Sequence, residues 1–78
     1  MTENEVLAWI ADIFEEPIEN IKPETSSEEV PGWDSLGVLN LIAALDEGFN
    51  IQLTDEKIQG LKKVEDILAI LRQHGILS

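Results

Sequence analysis

Apolar residues recur every three or four positions in three stretches of the chain, a spacing that predicts helices rather than strands. The first stretch follows Thr2 and Glu5, whose separation is typical of a capping box at a helix start. Its apolar stripe consists of Val6, Leu7, Trp9, Ile10, Ile13 and Phe14. We expect Pro17 to end this helix, because proline lacks the backbone donor that a helix interior needs.

A long linker with all three prolines, residues 15–33, separates the first helix from the second. We expect Ile18, Ile21 and Val30 to attach this linker to the core. A loop of this length is unusual in so small a domain, which raises the chance that it has a functional role.

The second helix is predicted from about Asp34 to Glu47, with Gly48 ending it. The residues at core-facing spacing are Val38, Leu41, Ile42, Leu45 and Phe49. A further apolar flank is formed by Leu36, Leu39 and Ala43. A helix this apolar is either buried on most sides or offers part of its surface to a partner.

Two more helices follow. Thr54 is expected to cap a short helix that runs to about Gln59, and the last helix starts at residue 63 or 64 and ends near His74, before Gly75. The apolar stripe of the last helix is Val64, Ile67, Leu68 and Leu71. The sequence therefore predicts an all-α four-helix bundle with three longer helices, one short third helix and a long first loop, folded as a single domain over residues 1–78.

Charge and cysteine content narrow the function. Sixteen acidic against five basic residues give a formal charge of −11, which disfavours nucleic acid as a partner and favours basic protein surfaces, unless the charge serves only solubility. The absence of cysteine excludes disulfides and thiolate metal sites. The acidic N-terminus and the lack of a long apolar run lead us to expect a cytoplasmic protein without membrane insertion. Because the chain begins with Met1 and the pattern runs to its end, we expect a complete small protein, and we expect it to be a monomer.

The polar residues do not suggest an enzyme. His74 lies near a predicted helix end, where solvation or a favourable dipole contact explains it. The adjacent carboxylates Asp46 and Glu47 lack the ligand spacing of an EF-hand, and no base lies near Ser35 in sequence to complete a catalytic triad. We therefore expect no catalytic residues and no metal site.

Ser35 is the strongest chemical candidate. It follows Asp34 at the predicted start of the second helix, where unpaired backbone N–H groups and the helix dipole favour an attached phosphate. The simpler interpretation is that Asp34 caps the helix and that Ser35 is only tolerated in its first turn.

Together with the helix order and the acidity, this motif resembles the acyl carrier protein family over nearly the whole chain. The matching positions are residues 31–37 (Pro-Gly-Trp-Asp-Ser-Leu-Gly), Leu41, Ile42, Ala44, Leu45, Phe49, Ile51, Leu53, Val64, Asp66 and Ile67. The resemblance implies that a phosphopantetheinyl transferase attaches 4'-phosphopantetheine from coenzyme A to Ser35. Asp34 would cap the helix and assist the transfer, and the thiol of the arm would carry acyl groups as thioesters.

The resemblance also implies contact surfaces. The transferase, and acyl-loading and acyl-accepting enzymes with basic docking surfaces, would contact Leu36, Gly37, Leu39, Asn40, Asp46 and Glu47. A fatty acyl cargo could fold back between the helices, and its lining would be Val38, Leu41, Ile42, Leu45, Leu61 and Ile67.

The chain departs from the family pattern in ways that bear on its pathway. Carriers of housekeeping fatty-acid synthesis usually have an acid directly after Asp-Ser-Leu and another within the next turn, where this chain has Gly37 and Asn40. Either this is neutral drift, or the missing side chain lets the arm or a partner approach closely. The motif looks more like that of specialised carriers for polysaccharide, lipid-modifying or secondary-metabolite pathways. Lys62 and Lys63 also stand where a Ser or Thr often caps the last helix. An aminoacyl or peptidyl carrier and an unmodified helical interaction module remain the alternatives.

Overall fold

The computed structural model describes residues 1–77 and has four α-helices in the predicted order. They are α1 (Glu3–Ile13), α2 (Ser35–Phe49), α3 (Asp55–Gln59) and α4 (Val64–Gln73). Two short 3₁₀ turns, Ile18–Asn20 and Ser27–Glu29, lie in the linker, and no strand forms within residues 1–77. The predicted all-α bundle with a short third helix and a long first loop is confirmed. The predicted domain end at residue 78 lies outside the described residues.

α1 starts as predicted but ends earlier. Its start is a capping box, because the Thr2 hydroxyl accepts from the Glu5 N–H at 3.2 Å and a Glu5 carboxylate oxygen accepts from the Thr2 N–H at 2.8 Å. At its end, Glu15 takes a left-handed conformation with φ 55°. The Glu16 N–H then donates to the Ala11 carbonyl at 2.9 Å, which completes a Schellman motif. The prediction that Pro17 ends this helix was wrong.

The end of α2 also differs from the prediction. Gly48 lies inside the helix, which continues to Phe49. Asn50 ends it by adopting φ 56° and donating its N–H to the Asp46 carbonyl at 3.0 Å. Asparagine enters the left-handed region more readily than most residues, so it can stop a helix as glycine does.

The core lies between α1, α2, α4 and part of the linker. Its fully buried large side chains are Val6, Ile10, Ile21, Leu41, Leu45, Val64, Ile67, Leu68 and Leu71. Of the linker residues expected there, Ile21 and Val30 are buried, whereas Ile18 is 45% exposed. The prediction for Ile18 was wrong because it lies in a 3₁₀ turn that buries none of its residues.

The linker also binds the N-terminus of α4. The Val64 N–H donates to the Thr25 carbonyl and the Glu65 N–H to the Pro23 carbonyl, each at 2.9 Å. These are two of the donors that the first turn of a helix leaves without an intrahelical partner. The long linker is therefore a structural part of the bundle.

A carboxylate completes the start of α4. Asp66 accepts hydrogen bonds from the backbone N–H groups of Lys62 and Lys63 at 2.8 and 2.9 Å. Because these bonds and the linker carbonyls satisfy the first turn, α4 forms without a Ser or Thr cap. At its other end, Gly75 has φ 74° and stops the helix as predicted.

No helix in the described part of the chain has both the length and the apolar character needed to cross a membrane.

Candidate functional site

Ser35 is the first residue of α2 and is exposed. The preceding Asp34 caps the helix, since its Oδ1 accepts from the Gly37 N–H at 2.8 Å. The N–H groups of Ser35 and Leu36 lie in the first turn, ahead of any intrahelical acceptor. The structure thus presents a primary hydroxyl beside a helix N-terminus, where an attached phosphate is favoured.

The turn that leads into Ser35 is fixed to the end of α1. The Trp33 N–H donates to the Val30 carbonyl at 2.9 Å and closes a turn around Pro31 and Gly32. The Trp33 ring stacks on the Phe14 ring, with centroids 4.9 Å apart and an interplanar angle of 13°. This pairing was not predicted from the sequence, although Gly32 and Trp33 directly before Asp-Ser-Leu were a signal for it.

Gly37 is buried beneath this turn. A Cβ atom at Gly37 would meet the Gly32 carbonyl oxygen and would lie 3.1 Å from Phe14 Cδ1. The expectation that Gly37 contacts partners, or leaves a gap for the arm, was wrong. The space left by its missing side chain is filled by the protein's own loop.

The opposite side of α2 carries an exposed apolar surface. Leu36 is 67% and Leu39 62% exposed, and Ala43 follows them on the same side. We call Leu36, Leu39 and Ala43 the apolar face. The polar residues predicted to contact partners, Asn40, Asp46 and Glu47, are also exposed. Large side chains this exposed mark a candidate contact surface beside Ser35.

The residues predicted to line an acyl chain lie in or against the packed core. Leu41, Leu45 and Ile67 are fully buried in the packed core, Leu61 is 8% exposed, and Val38 and Ile42 are half-buried. A surface groove of about 330 Å³ lies between α3 and α4, and Leu61 is the one member of the predicted set that lines it. An interior acyl site would therefore need the helices to move apart.

The electrostatics of the molecule are uneven. Fourteen of the sixteen acidic residues precede Lys57, and Lys22 is the one basic residue in that part of the chain. Among residues 1–77, no cluster of three or more His, Asp or Glu side chains is arranged to hold a metal ion. The part of the chain that precedes Lys57 is therefore strongly negative.

Comparison with known proteins places this site in a family. Residues 4–71 match the family model described as "Phosphopantetheine attachment site". The chain is 36% identical over 70 residues to an acyl carrier protein of Nitratidesulfovibrio vulgaris, covering 90% of this chain and 92% of that protein. It is 38% identical over 72 residues to one of Thermosynechococcus vestitus, covering 87% and 89%. It is 40% identical over 55 residues to one of Phytoplasma mali, covering 70% and 66%.

The matched range contains Asp34, the exposed Ser35 and the whole of α2. The order of the helices and the long first loop agree with the fold expected from the resemblance. The chain therefore belongs to the acyl carrier protein family, whose members carry phosphopantetheine and have no catalytic activity of their own.

Proposed function

We propose that this protein carries acyl groups as thioesters on a 4'-phosphopantetheine arm attached to Ser35, and delivers them to partner enzymes. The observation that carries the proposal is the exposed Ser35 hydroxyl at the N-terminus of α2, inside the range that matches the attachment-site model. The first-turn N–H groups favour the phosphate of the arm. When attached, the arm supplies the thiol that this cysteine-free chain lacks.

The attachment reaction needs one nucleophile from this chain. Ser35 Oγ forms a bond to the phosphorus next to the pantetheine of coenzyme A, and the diphosphate bond breaks. The nucleotide part leaves as a 3',5'-bisphosphate, and the hydroxyl proton passes to a base of the transferase. Asp34 holds the first turn through Oδ1, and we expect it to assist the metal-dependent transfer, as the family resemblance implies.

Partner enzymes dock, in this proposal, on the apolar face and on Asp46 and Glu47. Fully burying one leucine side chain contributes about 1.5–3 kcal/mol, more than an exposed ion pair at about 0–1 kcal/mol. Since Leu36 and Leu39 are mostly exposed in the free protein, a partner that covers them gains this hydrophobic contribution. The acids then steer basic surfaces of the transferase and of the loading and accepting enzymes.

The pathway served is, in this proposal, a specialised one in lipid, polysaccharide or secondary-metabolite synthesis rather than housekeeping fatty-acid synthesis. Support comes from the first turn of α2, which contains no acidic residue, and from the neutral Asn40 on the exposed surface. A cytoplasmic, monomeric carrier remains our expectation from the sequence.

Intact-mass measurement after incubation with coenzyme A and a broad-specificity transferase tests the attachment site. The wild type should gain the mass of one phosphopantetheine, Ser35→Ala should gain none, and Ser27→Ala, in the linker, should behave as the wild type. Ser26 is a poor competitor because its hydroxyl already donates to Glu29 at 3.0 Å. Ser78 lies outside the described residues.

Two outcomes contradict the proposal. A mass gain that survives Ser35→Ala would move the attachment to another residue. No gain in the folded wild type would instead favour an unmodified helical interaction module that uses the apolar face.

A further inference from the structure

We infer that Phe14 and Trp33 are positioning residues for Ser35, because their stacked rings fix the first turn of α2 to the end of α1. The inference rests on the proposed attachment at Ser35. Neither residue touches the reacting atoms. Their effect is on the direction in which the Ser35 hydroxyl points when the transferase binds.

The contacts on the N-terminal side of Ser35 are the first support. Trp33 lies two residues before Ser35, and its ring stacks on Phe14, the residue that directly follows α1. Gly32 lies so close to the Phe14 carbonyl that no Cβ atom fits between them. The chain entering α2 is therefore held against a helix end rather than suspended in the linker.

A contact on the C-terminal side of Ser35 is the second support. Gly37, two residues after Ser35, packs under the Gly32 carbonyl and close to the Phe14 ring. The segment that contains Ser35 is thus fixed both before and after the serine by the same residue, Phe14, at the end of α1. Phe14 itself is only 2% exposed and is part of the core.

This arrangement matters because the start of a helix is otherwise easily disordered. Apart from the bond to the Asp34 side chain, the N–H groups of the first turn of α2 have no acceptor within the helix, and the preceding linker is long. Group transfer depends on reacting atoms being held in a narrow range of distance and direction, and a misplacement of about 1 Å can cost about a hundredfold in rate. Loss of the ring stack should therefore reduce the rate of attachment more than it reduces docking.

The molecule contains a matched control. Trp9 is also half-buried and also pairs with one aromatic ring, that of Phe49, at a centroid distance of 5.3 Å. Trp9 lies on α1, outside the Ser35 segment. Trp9→Ala and Trp33→Ala remove the same side chain from comparable surroundings, so any general loss of stability should be similar.

The experiment measures kcat and KM for phosphopantetheine transfer from coenzyme A to each variant, at a temperature where circular dichroism shows all of them folded. Trp33→Ala should lower kcat by about tenfold to a hundredfold with little change in KM, because the apolar face is intact. Trp33→Phe should restore most of the rate, and Trp9→Ala should match the wild type.

Phe14→Leu separates positioning from a direct contact between Trp33 and the transferase. Phe14 is buried and cannot touch the enzyme, so a normal kcat in this variant would overturn the inference. Equal rates for Trp33→Ala and Trp9→Ala would overturn it as well.

Amide hydrogen exchange of Gly37 and Val38, whose N–H groups donate to the Asp34 side chain and carbonyl, gives a readout in the unmodified protein that does not need the reaction. Exchange should be faster in Trp33→Ala than in Trp9→Ala, and equal exchange would contradict positioning. A folded wild type that accepts no phosphopantetheine would instead overturn the proposed function.

Discussion

At Gly37, loop packing decides which residue can follow the Asp-Ser-Leu motif. A side chain there would collide with the Gly32 carbonyl and crowd the Phe14 ring. The acid that housekeeping carriers usually have at this position could enter only if the turn before Ser35 moved. From the sequence alone, the glycine at position 37 could be explained by neutral drift. The packing against Gly32 and Phe14 gives a physical explanation for it.

Gly37→Ala tests this explanation against a second glycine in the same helix. In most helix interiors, Gly→Ala stabilises a protein by about 0.5–1 kcal/mol. Gly37→Ala should instead destabilise it by about 1–3 kcal/mol through overpacking. Gly48→Ala should show the ordinary gain, because nothing lies within 4 Å of its added Cβ atom. Urea unfolding measures the free energy of unfolding of both variants. Stabilisation by Gly37→Ala would contradict the explanation, because it would show that the turn before Ser35 moves at little cost.

The capping box of α1 predicts a pH dependence. Hydrogen bonds from the Thr2 backbone and side chain lower the pKa of Glu5 below its usual 4.5. A carboxylate with a lowered folded-state pKa stabilises the fold above its unfolded pKa, and this contribution is lost as the pH falls through the lowered value. The difference in unfolding free energy between the wild type and Glu5→Gln should therefore be constant near neutral pH and shrink below about pH 4.5.

Glu3→Gln is the control for this measurement, because Glu3 lies in the same first turn. It removes a charge without removing the residue that completes the capping box. A difference between wild type and Glu5→Gln that stayed constant down to the lowest pH at which the protein is folded would contradict the assignment.

At the scale of elements, helix starts were predictable from sequence and helix ends were less so. Thr2, Asp34 and Thr54 cap their helices at the expected places because a capping side chain acts within three residues. The ends of α1 and α2 depend on Glu15 and Asn50 taking positive φ. Sequence patterns place helix ends at glycine, which adopts positive φ readily, or at proline, which lacks the N–H donor, so these ends were misplaced.

Some residues of the candidate site could also be predicted from the sequence, whereas others could not. Ser35 and Asp34 could be found from a local motif, and the exposed Leu36 and Leu39 from helical spacing. The contact of Phe14 with the turn before Ser35 joins residues about twenty positions apart. Such a contact depends on how α1 and the linker pack, which periodicity does not encode.

The scarcity of acidic residues near the start of α2 predicts which partner enzymes bind the protein well. The wild type, once malonyl-loaded, should be a poor substrate for elongation enzymes of housekeeping fatty-acid synthesis. Because Gly37 cannot carry an acid without moving the turn, Asn40 is the position at which added charge can be tested alone. Asn40→Glu should raise kcat/KM by about twofold to fivefold, since an exposed pair contributes up to about 1 kcal/mol.

Gln59→Glu is the matched control, because it adds the same charge at an exposed position on α3. It should leave kcat/KM near the wild-type value, and the gain from Asn40→Glu should shrink at high salt. Wild-type turnover equal to that of a housekeeping carrier, with no gain from Asn40→Glu, would contradict a specialised role.

At the scale of the whole molecule, a small packed core must coexist with a strongly acidic surface. The fourteen acidic side chains that precede Lys57 repel one another and oppose compaction of the chain. Folding is held against this repulsion by the continuous cluster of buried residues from α1, α2 and α4 and by the linker bonds to α4. A long acyl cargo would add apolar surface to a core that has little room for it.

Thermal unfolding of a series of acyl forms tests where such a cargo lies. Each buried methylene contributes about 0.8 kcal/mol, so only longer chains should offset the cost of parting Leu41, Leu45 and Ile67. We expect the melting temperature to match that of the free-thiol form for short chains and to rise for long ones, because a chain bound inside stabilises only the folded state. Ala69→Leu narrows the groove between α3 and α4, which Ala69 lines, without entering the core. The rise should survive this variant if the chain lies inside. Loss of the rise would place the chain in the groove, and a flat series in the wild type would show that the cargo stays in solvent.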